Sequence, residues 1–461
     1  MTDPQPAAQP DPALPAPAPA DPFRPDPALY GPERRERILR AAVRDGLLDP
    51  EDALLAGFVD LDAVAATVDS LHRAFEDAGE VLHTFAAKAN SLVPVLRHLR
   101  DLGMGCEVAS PGEFAQALAA GFAPERIVYD SPAKTRAELR LALELGVAVN
   151  IDNWQELARV DEILAERGAA GTRSRIGIRV NPQVGGGSIG AMSTATAHSK
   201  FGITLADAGN ADRLLAAFRD RPWLTWLHCH VGSQGCPLDL MAEGVAAAVG
   251  FARKTNSELG RRQVVGLDIG GGLPVNFDGD EVSPGYPDYV GRLKDRAPAL
   301  FTGEFRVVTE FGRSLLAKSG FTAAYVEYTK TSGGRPVALT FAGVQVAART
   351  VFAPDSWPLR ISAHDGTGAA KHGEPVEQDV AGPACFAGDL VAKARPLPLL
   401  EPGDIVVLLD TGAYYTSTPF GYNSLLEPAV HGATVAADGT VRFSVLRRPQ
   451  TVEDLLARTG G

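Results

Sequence analysis

Between Val81 and Arg313 the sequence alternates short apolar or β-branched runs with Ala-, Leu-, Glu- and Arg-rich stretches of helical character. The runs are Thr84–Ala89, Gly105–Ala109, Arg126–Asp130, Ala148–Asp152, Arg175–Asn181, Trp226–Val231, Val264–Ile269 and Phe305–Glu310. Helical candidates between them include Pro111–Ala120, Thr135–Leu145, Trp154–Arg167, Ala206–Phe218 and Leu240–Leu259. Parallel strands need a crossover connection, and a helix that carries the chain back across the sheet supplies one. Eight such units favour a closed parallel (β/α)8 barrel over an open doubly wound sheet.

The flanks read differently. Of the 34 prolines, 10 fall between Pro4 and Pro27, interleaved with Ala and Asp. Such a stretch cannot bury a core, so 1–28 is expected to be an extended or disordered tail. Residues 29–80 are expected to be a helical segment leading into a barrel at 81–314. After Ser314 helical periodicity gives way to alternating strands, as in Thr322–Thr331, Pro336–Phe341, Asp404–Leu409 and Ala433–Leu446. Asp438-Gly439 inside the last is a hairpin signal, so 315–461 reads as a mainly antiparallel β domain. The expected class is α/β, a (β/α)8 barrel followed by that β domain.

The chain has 461 residues with 44 basic and 56 acidic side chains, a formal charge of −12. No basic stripe offsets this balance, which excludes a nucleic-acid binder in bulk. No run of about 18 apolar residues suggests a membrane span. The N-terminus lacks a basic patch followed by an apolar stretch, so no secretory leader is expected. Cys106, Cys229, Cys236 and Cys385 form no Cys-x-x-Cys pair, which argues against a disulfide framework and a structural zinc. A reduced, cytoplasmic protein is the expectation.

Barrel active sites lie at the C-terminal ends of the strands. There the sequence offers Lys88, Glu107, Arg179, His230 before Gly232-Ser233, the run Gly270-Gly271-Gly272, and Glu310 with Arg313. A lysine pointing into a barrel among apolar neighbours would have its pKa lowered, which suits a Schiff-base lysine. Three glycines after strand seven can present backbone N–H groups to a phosphate, with Arg313 completing the cradle. His228 reads as a structural group and His230 as a functional one.

In this combination the chain resembles the fold-type III pyridoxal-phosphate decarboxylases with an alanine-racemase-like barrel, the group of diaminopimelate and ornithine decarboxylases. The resemblance runs from about Leu82 to Tyr422. It rests on Thr84-Phe85-Ala86-Ala87-Lys88-Ala89-Asn90, on His228 to Gln234, on Asp268 to Gly272, and on Glu310-Phe311-Gly312-Arg313, where Phe replaces the usual Pro. Cys385-Phe386-Ala387-Gly388-Asp389 and Asp410-Thr411-Gly412-Ala413-Tyr414 complete it.

The resemblance implies pyridoxal 5'-phosphate held covalently by Lys88, with Glu310 on the pyridine nitrogen and His230 against one ring face. It implies phosphate contacts from Gly270, Gly271, Gly272, Ser233, Tyr414 and Arg313. It also implies a homodimer with shared sites, protonation of the carbanion by Cys385, and Arg179 with Glu107 as a supporting pair near His230.

The departures concern the substrate. The glutamate or aspartate that follows the catalytic cysteine in these relatives is Phe386 here, and the second aspartate of ornithine-type enzymes is Ala342. The Arg-Pro segment for a distal carboxylate aligns loosely with Trp357-Pro358, with Arg360 close by. A diamino-acid ammonium buried among such residues would lack a counter-ion, at a cost on the order of several kcal/mol. An aliphatic side chain would gain about 1.5–3 kcal/mol by burial. The expected reaction is therefore decarboxylation of an apolar L-amino acid, valine or leucine first, to the primary amine and CO2. The alternatives are a modified or carrier-linked amino acid, a diaminopimelate-type decarboxylase with relocated binding residues, a racemase, and a non-catalytic relative that binds a protein.

Overall fold

The eight alternating units close. In the computed structural model, which describes residues 23–168 and 172–461, eight parallel strands pair in a ring. They are β2 (Val81–Ala86), β3 (Gly105–Val108), β4 (Ile127–Asp130), β5 (Ala148–Ile151), β6 (Ile176–Asn181), β8 (Leu224–His228), β9 (Gly266–Asp268) and β10 (Arg306–Phe311). Pairing of β10 with β2 and of β5 with β6 completes the circle, and a two-residue strand β7 (Ile203–Thr204) lies against β6. Six of the strands are shorter than their apolar runs, while β2 and β10 keep the length and are displaced along the chain: His230 lies two residues past β8, and Lys88 lies in a 3₁₀ turn, Ala87–Ala89, past β2.

Alternation along the strands sorts side chains to the two faces. The outward set packs on the helices, and the inward set forms two layers. The lower is apolar: Val128, Ala148, Trp226 and Val308 cluster together with Leu82. A Cβ on Gly266 would lie 2.4 Å from the Trp226 ring, so glycine there makes room for the indole that plugs the barrel. Two residues further along each strand the inward set turns polar: Thr84, Glu107, Asp130, Asn150, Arg179, His228, Asp268 and Glu310, one per strand. All eight are buried.

The second domain draws on both ends of the chain. Its strands are β1 (Leu55–Asp60), β11 (Gly320–Ser332), β12 (Arg335–Thr340), β13 (Ile361–His364), β14 (Pro375–Ala381), β15 (Leu390–Pro398), β16 (Ile405–Leu408), β17 (Ala429–Val435) and β18 (Val441–Arg447). Most pairings are antiparallel; β1 with β17 and β12 with β14 are parallel. The Asp438-Gly439 hairpin joins β17 to β18, with Gly439 at φ 85° and its N–H donating to the Ala436 carbonyl at 2.8 Å.

The segment 29–80 is thus not simply helical. Helix α1 (Pro32–Arg44) packs on the β domain, β1 is a buried strand of its sheet, and α2 (Leu61–Ala74), with Val59 of β1 and Phe75 and Ala78 beyond it, joins the barrel core. Leu55-Ala-Gly-Phe-Val-Asp60 is covered on both faces and therefore lacks alternation, which hides it from a pattern search. Residues 1–22 of the expected tail lie outside the described residues. Its end is anchored: Phe23 accepts a hydrogen bond from Ser70 through its carbonyl, and Arg24 pairs with Asp288 at 2.6 Å.

Candidate active site

The mouth of the barrel opens into a cavity of about 370 Å³, whose lining includes Lys88, His230, Gly232, Ser233, Gly272, Glu310, Gly312, Arg313 and Tyr414. Those nine residues come from four barrel strand ends and from the β domain. A loop from Met192 to Phe201 closes one side.

Lys88 is positioned by its turn and by the β domain. The Tyr414 N–H donates to the Ala89 carbonyl at 2.7 Å, the Ser417 hydroxyl to the Lys88 carbonyl at 2.8 Å, and Asn90 Nδ2 to the Gly412 carbonyl at 3.1 Å. These bonds explain why Asp410 to Tyr414 forms a motif with residues more than 300 positions earlier, and Tyr414 holds φ 64° to make its contact. The expected apolar surroundings are absent. Lys88 Nζ donates to Glu107 Oε2 at 2.8 Å. Burial would lower the Lys88 pKa, but Glu107, Tyr414 and Glu310 outweigh it and drive the value up.

Arg179 and Glu107 are not partners. Arg179 pairs with Asp130 at 2.7 Å, while Glu107 belongs to Lys88. His228 lies between two carboxylates, 3.4 Å from Asp130 and 3.3 Å from Asp268. Burial opposes its charge, yet those two carboxylates, with Glu310, raise its pKa well above the ordinary value. Its structural reading fits this geometry.

His230 is shifted the other way. Burial, then Arg179 and Lys88, hold it well below its usual value, so the ring is neutral. Its Nδ1 lies 3.3 Å from Glu310 Oε2 and accepts from the Gly271 N–H at 3.4 Å. Glu310 is pushed well above the carboxylate range by burial and by Asp268. Its other oxygen, Oε1, is buried and has no hydrogen-bond partner.

The glycine run contributes differently from the expectation. The Gly270 N–H is spent on Asp268 Oδ1 at 3.0 Å and that of Gly271 on His230, so only Gly272 lines the cavity. A Cβ on Gly272 would lie 2.7 Å from the Gly232 carbonyl oxygen. Gly232, Ser233, Gly272 and Gly312 together make a cradle without bulky side chains that fits a phosphate. The orphaned Glu310 Oε1 fits a pyridine nitrogen, and Lys88 fits the aldehyde carbon. The residues present therefore match pyridoxal phosphate.

The expected substrate contacts and the expected proton donor lie elsewhere. Ala342 is fully buried in the β-domain core. Trp357 does not line the cavity; its ring carries the Arg313 and Arg349 guanidinium groups, each at 4.7 Å. Cys385 is exposed on the β domain, its N–H donating to Asn423 Oδ1 at 2.7 Å. Phe386 stacks on Phe352 at 5.9 Å, with Phe420 and Tyr422 edge-on to the pair. Arg360 is committed to Asp280 at 2.7 Å and to Asp410 at 3.0 Å.

The residue that sequence reasoning missed is Arg349. It projects from the helix Val344–Phe352 onto the Tyr414 ring at 4.4 Å, and Arg313 lies on the same ring at 4.5 Å. Neither arginine forms an ion pair among the described residues, and each has a buried nitrogen, Nη2 of Arg313 and Nη1 of Arg349, without a hydrogen-bond partner. Burial, with Arg349 nearby, lowers the Arg313 pKa to about 10, and it lowers that of Arg349 as well. The available signal was an arginine eight residues before Trp357, obscured because Thr350 rather than proline follows it.

Comparison with known proteins agrees with this geometry. Residues 61–317 match the family described as pyridoxal-dependent decarboxylase, pyridoxal binding domain. A diaminopimelate decarboxylase of Pseudomonas aeruginosa is 33% identical over 397 residues, covering 85% of this chain and 90% of that protein. One from Methanothermobacter thermautotrophicus is 31% identical over 393 residues, covering 84% and 87%. The crystal structure of diaminopimelate decarboxylase from Helicobacter pylori complexed with L-lysine superposes with a TM-score of 0.76 at 26% identity, covering 89% of this chain and 98% of that one. Among the described residues, no helix is long and apolar enough to cross a membrane. Barrel, cofactor cradle and relatives agree: the chain belongs to the pyridoxal-dependent decarboxylases of the ornithine and diaminopimelate group, carboxy-lyases that use pyridoxal phosphate.

Proposed function

We propose that this decarboxylase acts on an amino acid whose far end carries a carboxylate, a diaminopimelate-type reaction. The observation behind this reading is the Arg313–Arg349 pair. Arg313 lines the cavity and Arg349 lies against the same two rings, neither with a carboxylate partner among the described residues, and this uncompensated charge is what an anion on the substrate would neutralise. Diaminopimelate is the substrate named for the relatives, whereas nothing among them supports valine or leucine. An apolar side chain would leave Arg349 unpaired.

Pyridoxal phosphate, when bound, supplies the electron sink for the pair left on the α-carbon as CO2 departs. Lys88 would hold it, Gly272, Ser233 and Gly312 would receive the phosphate, and Glu310 would meet the ring nitrogen at Oε1. The neutral His230 ring would lie against the cofactor without competing for its charge. Arg313 and Arg349 would orient the substrate by its distal carboxylate.

Cys385 does not line the cavity of its own chain, so its expected role in returning a proton to the α-carbon requires a second copy that delivers it. On this reading the enzyme is a homodimer with shared sites. Aromatic rings of Phe386 and its neighbours would then cover the partner cavity and exclude water.

CO2 release from diaminopimelate, lysine, ornithine, valine, leucine and phenylalanine tests the assignment. The diacid is expected to have the highest kcat/KM. Loss of one charged contact in Arg349→Gln should raise its KM about 10–150-fold. Turnover of valine or leucine without diaminopimelate would overturn the proposal.

A further inference from the structure

Glu107 is fully buried within the inward polar ring. Its Oε2 accepts from Lys88 at 2.8 Å, and Oε1 has no hydrogen-bond partner. Lys88 is the one cation within ion-pair distance of this carboxylate among the described residues. The nearest arginine of the ring, Arg179, is spent on Asp130.

The charges facing the pair come from every side. Asp130 on β4, Glu113 on the helix Pro111–Ala119 and Glu310 on β10 are acidic, Tyr414 approaches from the β domain, and neutral His230 lies across the cavity. Burial raises the Glu107 pKa to about 7; Lys88 pulls it down, while Asp130 and Glu113 push it up. Lys88, in turn, exposes 39% of its side chain, and that surface faces the cavity. The lysine is thus open on the side where a carbonyl carbon would arrive and held from behind by one carboxylate. If the nitrogen lost its charge, an ionised Glu107 would remain buried beside other carboxylates with no cation, an arrangement that favours protonation.

We propose that Glu107 is the positioning residue of Lys88: it holds Nζ in the cationic form at the cavity floor and takes up the proton when that cation is lost. The step conserves atoms and charge. One proton passes from the nitrogen to a carboxylate oxygen, leaving a neutral nitrogen and a carboxylic acid, and no electrons are transferred. Return of the proton restores the pair. This inference rests on Lys88 as the lysine that bears the cofactor.

The test is a pH titration of the visible absorbance of the lysine-linked cofactor in the full-length holoenzyme, for wild type, Glu107→Gln and Glu107→Asp. A carboxylate beside the nitrogen stabilises its protonated form, so the Glu107→Gln midpoint should fall by about one pH unit or more, a tenfold loss of the protonated form. Glu107→Asp keeps the charge at a greater distance and should give an intermediate midpoint, which also serves if the glutamine variant does not fold. A role in packing alone would leave the midpoint unmoved. Borohydride reduction and peptide mapping separate the two ways to fail. Label on another lysine overturns the site assignment and this proposal together. Label on Lys88 with the midpoint unmoved in the folded variants overturns the role of Glu107 alone.

Discussion

Gly271 is the position where one methyl group should disturb both the fold and the cofactor site. Its φ is not in the left-handed region, so alanine meets no conformational penalty; the constraint is space. A Cβ there would lie 2.1 Å from the Glu310 carbonyl oxygen, 2.7 Å from its carbon and 3.1 Å from Phe311 Cα. An ordinary carbon–oxygen contact is about 3.3 Å, so the overlap is about 1.2 Å. All three atoms are backbone of β10, and no rotamer change relieves the clash. Overpacking of this kind costs about 1–3 kcal/mol, and a rigid strand on the far side argues for the upper end. At about 2–4 °C per kcal/mol for a domain of this size, Gly271→Ala should melt about 6–12 °C lower. Because the displaced carbonyl is that of Glu310, the variant should also retain less cofactor, read as visible absorbance per chain after gel filtration. Gly250 is the control: it sits in the helix Leu238–Leu259, where an added Cβ would meet nothing within 4 Å, and Gly250→Ala should stabilise by about 0.5–1 kcal/mol. A Gly271→Ala protein with wild-type melting and full cofactor would refute the close-approach argument.

The remaining predictions concern charge and assembly. The His228 pKa is raised in the folded state, so its stabilisation is fully present below the unfolded value of about 6.5 and declines by about 1.4 kcal/mol per pH unit above it, until the folded-state value is passed. Urea unfolding of wild type and His228→Asn across pH 5.5–9 should show that declining difference; a constant one contradicts the ion-pair reading. Arg360→Met should destabilise by about 1–3 kcal/mol through loss of its pairs with Asp280 and Asp410, while the KM of any accepted substrate stays unchanged. Mixing inactive Lys88→Ala and Cys385→Ala chains should restore about one quarter of wild-type activity if a two-fold dimer shares its sites. No recovery under conditions of subunit exchange would place each site within one chain. Phe386→Glu should raise kcat/KM for diaminopimelate by supplying a carboxylate for its distal ammonium, and lower or unchanged values would remove Phe386 from the substrate pocket.

Sequence alone determined what depends on local pattern. Eight strand–helix alternations favour a parallel closed sheet, and the functional face of that barrel follows from chain direction. Lys88, His230, Glu310 and Arg313 were legible because each falls at or just past the end of an apolar run, where barrel chemistry occurs. Hairpin chemistry at Asp438-Gly439 was legible for the same local reason. Strand β1 was not: its pairing partners lie more than 260 residues away, and burial on both faces erases the alternation that marks a strand. The apolar-substrate reading finds no support among the relatives, for a related cause. It assigned roles from three positions along the chain, whereas Arg313 at the cavity and Arg349 beside it come to share two aromatic rings only after folding. Partner choice inside the ring was also decided in three dimensions, since Glu107 could have paired with Arg179 or with Lys88 and the strand order gave it the lysine. Local sequence specifies which side chains reach the barrel mouth; long-range packing decides which charges are neutralised there.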